Sequence, residues 1–400
     1  MRITIAIALL LSVSVAFGDP PPVADLIRTA TAELLKMQEP DGAWPYEGVY
    51  RVGGEIPLGY RVGGTAIAIE ALLYGSPDAT ELPQATDRGL AYILSKLDDK
   101  LLAPSTAEAY DVRVWGHCCV LQAFCRLREK RAAGKHADEV NRWIPKLVEA
   151  LLIEQLPDGG WNYATRQSHA PFVSASVLQT LLLARSQGET VPDDVLERGR
   201  DVLAQSRYPD GAFTYMGRVG LPRRRASSQP TSTPATTTTT ATSGGLSSAP
   251  AASGPSSMPV ARTDQLPGSI ARSAICESTL QLLGDGSERR IAAALDAFHA
   301  HWQELENRRR KTGTHLGPYG IAPYYFYFGH RYAGQAIQLL PPERRERERA
   351  RLLEVVLRTR DEDGTWNDRV FPRSRNYGTA MIVLALLGDH SPLPPAWKRG

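Results

Sequence analysis

The sequence has few cysteines, almost no excess of charge of one sign and, beyond its first residues, no long apolar run. Its formal net charge is only +3 over 400 residues, which gives no electrostatic reason to expect nucleic acid as a partner. After residue 17 no segment approaches the about 18 uninterrupted apolar residues that suggest a membrane-spanning helix. We therefore expect a mature chain without a transmembrane segment.

Four cysteines, Cys118, Cys119, Cys125 and Cys276, are poorly placed for a disulfide framework. Cys118 and Cys125 share a predicted helix and stand about 10 Å apart along its axis, whereas the Cα atoms of a disulfide are about 5.5 Å apart. His117 lies beside two of them, but adjacent helical side chains diverge by about 100°, so the three do not converge on one metal ion. We expect buried free thiols, no metal site and no cofactor.

The N-terminus has the layout of a secretory signal peptide. Arg2 supplies a positive start, residues 3–17 are apolar, and Ala16-Phe17-Gly18 places small residues at a cleavage site. We therefore predict that residues 1–18 are a signal peptide. The mature chain is then expected to be exported to the periplasm, the cell envelope or the extracellular space.

A four-residue motif, Asp-Gly-x-aromatic, recurs along the chain. It is present at residues 41–44, 158–161, 210–213 and 363–366. The second and third copies are 52 residues apart, and the other intervals each hold about two such periods once a foreign insert is removed. Six units fit, with degenerate copies expected near Asp98 and Thr312. Asp and Gly favour a tight turn, and the aromatic ring is expected to fill the gap between neighbouring helix pairs.

Each unit is predicted to contain two helices. The first is amphipathic and the second is apolar on nearly all sides, which is typical of an exposed helix followed by a buried one. Repeated six times, this alternation predicts an all-α fold with an outer and an inner ring of helices, an (α/α)6 toroid. Residues 19–400 are expected to form this single domain. Residues 223–267, rich in Ser, Thr, Pro and Ala, are predicted to interrupt it as a disordered loop.

The repeats resemble those of a known family. Gln38, followed by Gly42-Ala43-Trp44, and Gln155, followed by Gly159-Gly160-Trp161, are similar to the Gln-Trp repeats of squalene cyclases. Similar repeats occur in the β subunits of protein prenyltransferases, which also fold as α/α toroids. The resemblance covers nearly all of the mature chain apart from the insert and implies that fold.

The catalytic signatures of the family are not found in the sequence. Squalene cyclases use an Asp-x-Asp-Asp motif to protonate an alkene, and prenyltransferase β subunits bind zinc partly through an Asp-x-Cys pair; neither motif occurs. The acidic stretch 193–197 resembles a magnesium-binding motif of terpene enzymes. It follows Pro192 at a predicted helix start, however, where acidic residues interact favourably with the helix dipole.

Polar and aromatic residues cluster where the inner helices are predicted to begin, at the mouth of the toroid. The catalytic candidates are Asp111, His117, His169 and Tyr325. The ligand-binding candidates are Arg61, Trp115, Arg272, Tyr324, Tyr327, His330, Arg331, Arg375 and Tyr377. The arginines would attract an anion, and the aromatic rings would suit an apolar tail or a sugar face. Packing, or bonds to backbone carbonyls, explains the same residues equally well.

Three functional hypotheses follow. The leading one is an exported toroid that binds or modifies a hydrophobic ligand, for which the family resemblance implies an isoprenoid. The second is a carbohydrate-active enzyme, such as a polysaccharide lyase or a glycosidase, because α/α toroids with Tyr, His and Arg at the mouth also perform that chemistry. The third is a non-enzymatic interaction scaffold in the cell envelope. The sequence leaves open whether the protein is an enzyme.

Overall fold

The structure is a computed structural model that describes residues 21–48, 55–76, 80, 82–104, 112–163, 167–220 and 261–398. The predicted signal peptide, the candidate Asp111 and most of the predicted loop lie outside these residues. Residues 261–267, which the sequence analysis assigned to the loop, form a 3-10 turn and the beginning of a helix. The boundary placed at residue 267 is therefore too late.

The described residues form thirteen α-helices that alternate between an outer and an inner layer. The outer helices are α1 (Val23–Lys36), α3 (Leu82–Lys96), α5 (Ala137–Ile153), α7 (Asp193–Ala204), α9 (Glu288–Ala300) with its short extension α10 (Trp302–Glu306), and α12 (Pro342–Leu357). The inner helices are α2 (Leu58–Gly75), α4 (Arg113–Lys130), α6 (Pro171–Ser186), α8 (Leu266–Leu282), α11 (Tyr325–Ile337) and α13 (Arg375–Leu386).

The inner helices close into a ring. Each packs against its neighbours in the order α2, α4, α6, α8, α11 and α13, and α13 returns to α2. The outer helix α1 also packs on α13, so the first and last units of the chain are neighbours. Six helix pairs in a closed double ring confirm the fold predicted from the sequence.

Burial separates the two layers as the sequence pattern predicts. Along α2 nearly every residue from Gly59 to Tyr74 is buried, because this helix has neighbours on all sides. In α12 most of the run of Arg and Glu faces solvent, while Glu348, Leu352, Val355 and Val356 are buried. Such one-sided burial is the expected result of a 3.6-residue period.

The Asp-Gly turn has the same geometry in all four copies. The aspartate carboxylate accepts a hydrogen bond from the backbone N–H two residues later, at 3.0–3.1 Å. The glycine that follows adopts φ between 85° and 97°, a region that L side chains avoid. At Gly42 and Gly159 a Cβ would also lie 2.4 or 2.7 Å from the carbonyl oxygen of Arg88 or Arg198. Backbone conformation and lack of space therefore both require glycine there.

The aromatic residue of the turn joins an outer helix to the next inner helix. The backbone N–H of Trp44 donates to the hydroxyl of Thr65 in α2 at 2.9 Å, and its Nε1 donates to the carbonyl of Leu34 in α1 at 2.8 Å. The same two bonds recur for Trp161 with Ser174 and Leu151, and for Trp366 with Thr379 and Val356. Phe213 makes the backbone bond, to Ser269. All four rings are completely buried, so the aromatic residue has the packing role predicted for it.

The glutamine of the repeat connects one unit to the next. The amide nitrogen of Gln38 donates to the carbonyls of Gly42, in its own turn, and of Ala85, in the following outer helix, both at 2.9 Å. Gln155 makes the equivalent bonds to Gly159 and Val195. Each glutamine therefore fixes the position of the next outer helix relative to the turn.

The degenerate second unit keeps part of this geometry. Asp99 accepts a bond from the N–H of Leu101 at 2.9 Å, and Leu102 is buried where the aromatic ring would be. The turn is one residue from the predicted position. In the fifth unit the loop 307–324 has no Asp-Gly turn, and a short bridge pairs Leu316 with Ile321 instead.

The thiols are placed as the helix geometry predicts. Cys118, Cys125 and Cys276 are buried free cysteines, and Cys119 is half-buried. Burial raises the pKa of Cys118 to about 11 and that of Cys125 to about 12, so both thiols stay protonated and pack as small hydrophobic groups.

We predict that Thr65→Val destabilises the fold without changing its shape. The substitution removes the acceptor of the buried Trp44 N–H, and a buried donor without a partner costs about 1–3 kcal/mol. Urea titration should show this loss in the free energy of unfolding. Thr29→Val is the matched control, because the Thr29 hydroxyl bonds a carbonyl of its own helix; it should change stability by less than about 0.5 kcal/mol. Equal effects of the two substitutions would contradict the prediction.

Candidate functional site

The beginnings of the inner helices meet at one end of the ring and enclose an aromatic chamber. Its wall consists of nine aromatic side chains from the helix starts and the adjoining turns. They are Tyr46, Tyr60, Trp115, Tyr163, Phe172, Tyr324, Tyr325, Phe328 and Tyr377. Four of the sequence-predicted site residues, Trp115, Tyr324, Tyr325 and Tyr377, are thus brought together here.

The aromatic chamber continues along the ring axis into a middle chamber. Trp115, Phe172, Phe328 and Tyr377 line both. The space open to the centres of water molecules is about 40 Å³ in the first chamber and about 30 Å³ in the second. Because one water needs roughly 10–15 Å³ by this measure, each chamber holds only a few waters while the rings keep these positions.

The far end of the axis is polar. Arg331, a sequence-predicted residue, forms a buried ion pair with Glu70, with 3.2 Å between Nη2 and Oε2. The amide of Gln122 donates to both carboxylate oxygens of Glu70 at 2.8 Å. Although burial disfavours a charged arginine, the Glu70 carboxylate holds the pKa of Arg331 above its ordinary value. These three residues form a charged but fully paired polar floor.

The C-terminal segment covers this polar floor. Ser391, Pro392 and Pro394 line the space below Glu70 and Arg331, and the side chain of Gln338 donates to the carbonyl of Ser391 at 3.1 Å. The segment ends against α7 and α8, where Trp397 donates its backbone N–H to the Leu282 carbonyl at 2.8 Å. The two ends of the axis therefore differ chemically.

Three predicted site residues bind the aspartates of the repeat motif. At the start of an inner helix, each basic side chain contacts the carboxylate oxygen that the turn itself does not use. The pairs are Arg61 with Asp41, His169 with Asp158, and Arg375 with Asp363, at 2.7, 2.6 and 2.9 Å. None of the three basic side chains lines the aromatic chamber. Their recurrence along the sequence thus has a structural cause.

Arg272 is buried among carbonyl groups of the protein. Its guanidinium donates to the carbonyls of Phe213, at 2.7 Å, and Gly268, at 2.8 Å. Burial lowers its pKa, against the opposing effect of Tyr325. The four predicted arginines at residues 61, 272, 331 and 375 are therefore each engaged with a different partner in the protein rather than gathered around one anion.

His330 and Tyr327 lie between α11 and its outer neighbours. His330 donates from Nδ1 to the Phe326 carbonyl at 2.7 Å and accepts a bond from Trp302 Nε1 at 2.9 Å. Burial lowers the pKa of His330 to about 3, so the ring is neutral. The Tyr327 hydroxyl donates to the Thr359 carbonyl at 3.4 Å. Both side chains are occupied by partners outside the chambers.

His117 faces outward from the ring. Its Nδ1 lies 3.1 Å from the Glu154 carboxylate at the end of α5, and both side chains are buried. It borders an outer groove with Trp143 and Lys146, separate from the axial chambers. In the described part of the chain, no group of three or more His, Cys, Asp or Glu residues is arranged to hold a metal ion.

A tyrosine and a histidine are in contact near the aromatic chamber, but they are not the catalytic candidates Tyr325 and His169. His169 is held by Asp158 and by the Ser206 hydroxyl. The hydroxyl of Tyr324 instead lies 3.3 Å from Nε2 of His315, while Nδ1 of His315 donates to the Gly320 carbonyl at 3.0 Å. The acceptor nitrogen of His315 therefore points to a phenol of the aromatic chamber.

This contact ends a chain of phenols. The hydroxyls of Tyr163 and Tyr215 are 2.7 Å apart, and those of Tyr215 and Tyr324 are 3.3 Å apart. Burial, and then the other phenols, hold the pKa of Tyr163 and of Tyr324 well above the ordinary value. The chain thus consists of neutral hydroxyl groups, all able to donate and to accept.

One position of the repeat was overlooked in the sequence analysis. Two residues after the motif aromatic the chain has Tyr46, Tyr163 and Tyr215 in three units, and Asp368 in the sixth. The side chain of Asp368 is fully buried, and neither carboxylate oxygen has a hydrogen-bond partner. Three copies of the motif continue as aromatic-x-Tyr, whereas the copy in the sixth unit continues as Trp-x-Asp. This difference can be read from the sequence and would have identified Asp368.

The environment of Asp368 favours the protonated acid. Burial raises its pKa from 3.8 to about 7, against the opposing charges of Arg369, Arg309 and Arg310. Burial, and then the charge of Asp368, also hold the pKa of the nearby Tyr46 well above its usual value. The sixth unit therefore contributes a carboxylic acid where three other units contribute a phenol.

Comparisons with known proteins identify the fold. A scan against protein-family models and a search of curated proteins both find no match. The apo type II terpene cyclase MstE from Scytonema is similar over 92% of this chain and 98% of its own, with a TM-score of 0.51 and 13% identity. The α-1,6-mannanase GH76A from Salegentibacter is similar over 92% and 99%, with a TM-score of 0.50 and 12% identity. The chain is an α/α toroid.

The similar toroids hold chemically different ligands. A variant of MstE, with a TM-score of 0.50 and 13% identity over 92% of this chain and 97% of its own, is in complex with geranylgeranyl dihydroxybenzoate. The mannanase is in complex with α-1,6-mannotetrose. At such low identity the likeness concerns the fold, so a functional argument has to come from the site of this toroid. Within the described residues no helix is long and apolar enough to span a membrane.

We predict that Arg331→Met lowers the free energy of unfolding by about 3–5 kcal/mol, because it leaves the Glu70 carboxylate buried without its cation. The double variant Glu70→Gln/Arg331→Met should recover most of this loss in the same denaturant titration. Arg358→Met, which breaks an exposed pair with Glu354, is the control and should cost less than about 1 kcal/mol. A double variant as unstable as the single one would contradict the prediction.

We predict that Asp368 makes stability depend on pH. The folded chain binds the Asp368 proton more tightly than the unfolded chain, so its contribution is fully present below about pH 4 and is lost as the pH rises to about 7. Relative to Asp368→Asn, the wild type should lose a few kcal/mol of unfolding free energy over this range, since one pKa unit corresponds to about 1.4 kcal/mol. Parallel pH profiles for the two proteins would show that folding does not raise the pKa of Asp368.

Proposed function

We propose that this toroid binds a hydrophobic ligand of the isoprenoid class in its aromatic chamber, after export from the cytoplasm. The observation that carries the proposal is the wall of nine aromatic side chains at the start of the inner helices. Aromatic rings contribute large apolar contact areas, and an enclosed apolar pocket with a few polar groups is the usual form of a small-molecule site.

Ligand entry requires the aromatic rings to move, because the chambers hold only a few waters in this structure. Trp115, Tyr163 and Tyr324 are only partly buried, so they are the rings with room to rotate. Rotamer changes of exposed side chains are fast on the time scale of binding. An elongated ligand would then extend from the aromatic chamber into the middle chamber, which is lined by apolar residues such as Ile67 and Met381.

The isoprenoid class is supported by the resemblance of the repeats to those of squalene cyclases and by a structural neighbour. MstE, a type II terpene cyclase, has this fold and is in complex with a geranylgeranyl compound. The sequence lacks the acidic motif of squalene cyclases, so the proposed activity is binding, and any reaction would depend on other groups.

Export is supported by residues 1–18, which have the layout of a signal peptide. N-terminal sequencing of the protein from its native cells provides the test. A chain that begins at Asp19 is expected, whereas a chain that still begins at Met1 in the cytoplasm would overturn this part of the proposal.

A second candidate, a carbohydrate-active enzyme, is favoured by the 3.3 Å contact between Tyr324 and His315. A phenol and an imidazole in contact are able to act as acid and base, and aromatic walls also stack on sugar rings. Incubation with a panel of uronate polymers tests this candidate by the ultraviolet absorbance of unsaturated products. Absence of product from every polymer would remove the lyase form of it.

We predict that Ser176→Trp blocks the ligand. Ser176 lines the middle chamber, and an indole there would fill the space that the ligand needs. Native mass spectrometry of the protein loaded with geranylgeraniol should show at least a tenfold lower bound fraction for this variant. Ser186→Trp, at the exposed end of the same helix, is the matched control and should bind as the wild type does. If wild type and both variants fail to bind any isoprenoid, the hydrophobic-ligand function is wrong.

A further inference from the structure

The first and last units of the toroid meet beside the aromatic chamber, and we call this region the seam. The amide of Asn376 donates to the Pro45 carbonyl at 3.0 Å, and the Ser374 hydroxyl donates to the Glu47 carbonyl. The rings of Tyr46 and Tyr377 stack across the seam with centroids 3.9 Å apart. Two turns from opposite ends of the sequence therefore form one continuous wall.

Buried polar groups of Tyr46, Asp368 and Arg369 at the seam lack hydrogen-bond partners. The hydroxyl of Tyr46, which lines the aromatic chamber, makes no hydrogen bond, and neither does either carboxylate oxygen of Asp368. The Asp368 charge acts on both stacked rings, since burial and then this carboxylate hold the pKa of Tyr377, as of Tyr46, above the usual range. Buried polar groups are normally hydrogen-bonded, and a native exception calls for an explanation such as a bound molecule.

Tyr163 and Tyr215, at the equivalent position of the third and fourth units, do have hydrogen-bond partners. The hydroxyl of Tyr163 bonds that of Tyr215, and Tyr215 in turn bonds Tyr324. These three phenols thus satisfy one another, whereas the hydroxyl of Tyr325 on the same wall has no hydrogen-bond partner. The replacement of a tyrosine by Asp368 leaves the sixth unit with acceptor atoms that no neighbouring side chain uses.

The charges around the seam select a neutral polar group. Arg309 and Arg310 are engaged with Glu306 and Asp361. Arg369, whose side chain is buried and whose Nε and Nη1 lack hydrogen-bond partners, is the foremost of the cations that offset any charge on Asp368. A phenol beside a carboxyl that is able to hold a proton presents both donors and acceptors. A hydroxyl group, which also donates and accepts, complements this pair better than a carboxylate or a hydrocarbon end does.

We propose that Asp368 and Tyr46 form a polar subsite at the seam, which binds the hydroxyl group of an apolar alcohol whose chain occupies the axial chambers. This inference rests on the proposed function, because it specifies the polar end of the same ligand. Asp368 and Tyr46 then determine specificity, while the aromatic wall supplies contact with the chain.

The test compares three ligands with one saturated C20 isoprenoid chain: phytanol, phytanic acid and phytane, each delivered from cyclodextrin to the full-length protein. The wild type is expected to bind phytanol at least tenfold more tightly than phytane or phytanic acid. Asp368→Leu and Tyr46→Phe should each weaken phytanol binding about tenfold, the effect of one lost hydrogen bond of about 1.4 kcal/mol. Their affinity for phytane should be unchanged or higher.

Tyr74→Phe is the matched control, since it also removes a buried hydroxyl without a hydrogen-bond partner, but one that lines neither chamber. It should leave the ratio of phytanol to phytane affinity unchanged. Asp368→Leu should fold, because it removes an unsatisfied buried group; if it does not, Tyr46→Phe, which removes a single hydroxyl, decides the question.

The possible failures are distinguishable. Equal binding of the three ligands by the wild type, or an unchanged ratio in Tyr46→Phe and Asp368→Leu, would overturn the subsite and leave the hydrophobic-ligand function standing. Failure of the wild type to bind any of the three would overturn both.

Discussion

The hydrogen bond between the motif aromatic and a hydroxyl of the following inner helix is the interaction on which this structure depends. It connects an outer helix, a tight turn and an inner helix at one buried point, as Trp44 and Thr65 do in the first unit. Its recurrence in three other units gives every such helix pair the same relative position. A repeated unit of constant geometry closes into a ring, and the ring in turn creates the axial space. The chambers thus result from the packing of the repeated helix pairs, which does not depend on a ligand.

Ligand chemistry enters where the repeat is broken. A toroid of identical units would present one residue type six times around its axis, whereas a ligand with two different ends needs an asymmetric wall. Asp368 stands in place of a tyrosine near the stacked rings of Tyr46 and Tyr377 at the aromatic end, and the Glu70–Arg331 pair lies at the far end. The departures from the repeat are therefore more informative about the chambers than the repeat itself.

The fold was predictable because burial differs so strongly between the two helix types. The starts of two inner helices were less predictable: α2 begins at Leu58 and α11 at Tyr325, seven residues before the nearly all-apolar pattern begins at Thr65 and Tyr332. These seven-residue stretches contain glycine or consecutive aromatic residues and are buried by other units. Their sequence therefore shows neither the period of an amphipathic helix nor a uniformly apolar character. Tertiary contacts, which a local pattern does not contain, extend the helices.

The site was predictable only in part for a related reason. Trp115, Tyr324, Tyr325 and Tyr377 were expected at the mouth because they lie at helix starts, and they do line the chamber. The basic residues at similar positions, such as Arg61, bind the motif aspartates instead, because sequence position does not determine on which side of a helix start a side chain points. Asp368 lies on a turn outside every predicted helix, and its unpaired state becomes evident only when all of its neighbours are in place.

The common direction of the inner helices has an electrostatic consequence. All six begin at the aromatic end, and each helix N-terminus carries a partial positive charge of about half an elementary charge, with the opposite charge at its C-terminus. Six parallel macrodipoles therefore set up a field along the ring axis without any ionised side chain. An electron-rich group has lower energy near the aromatic rings, and a cationic group near the polar floor, where Arg331 lies. For the proposed ligand, a molecule with unlike ends, this field would favour one orientation along the axis.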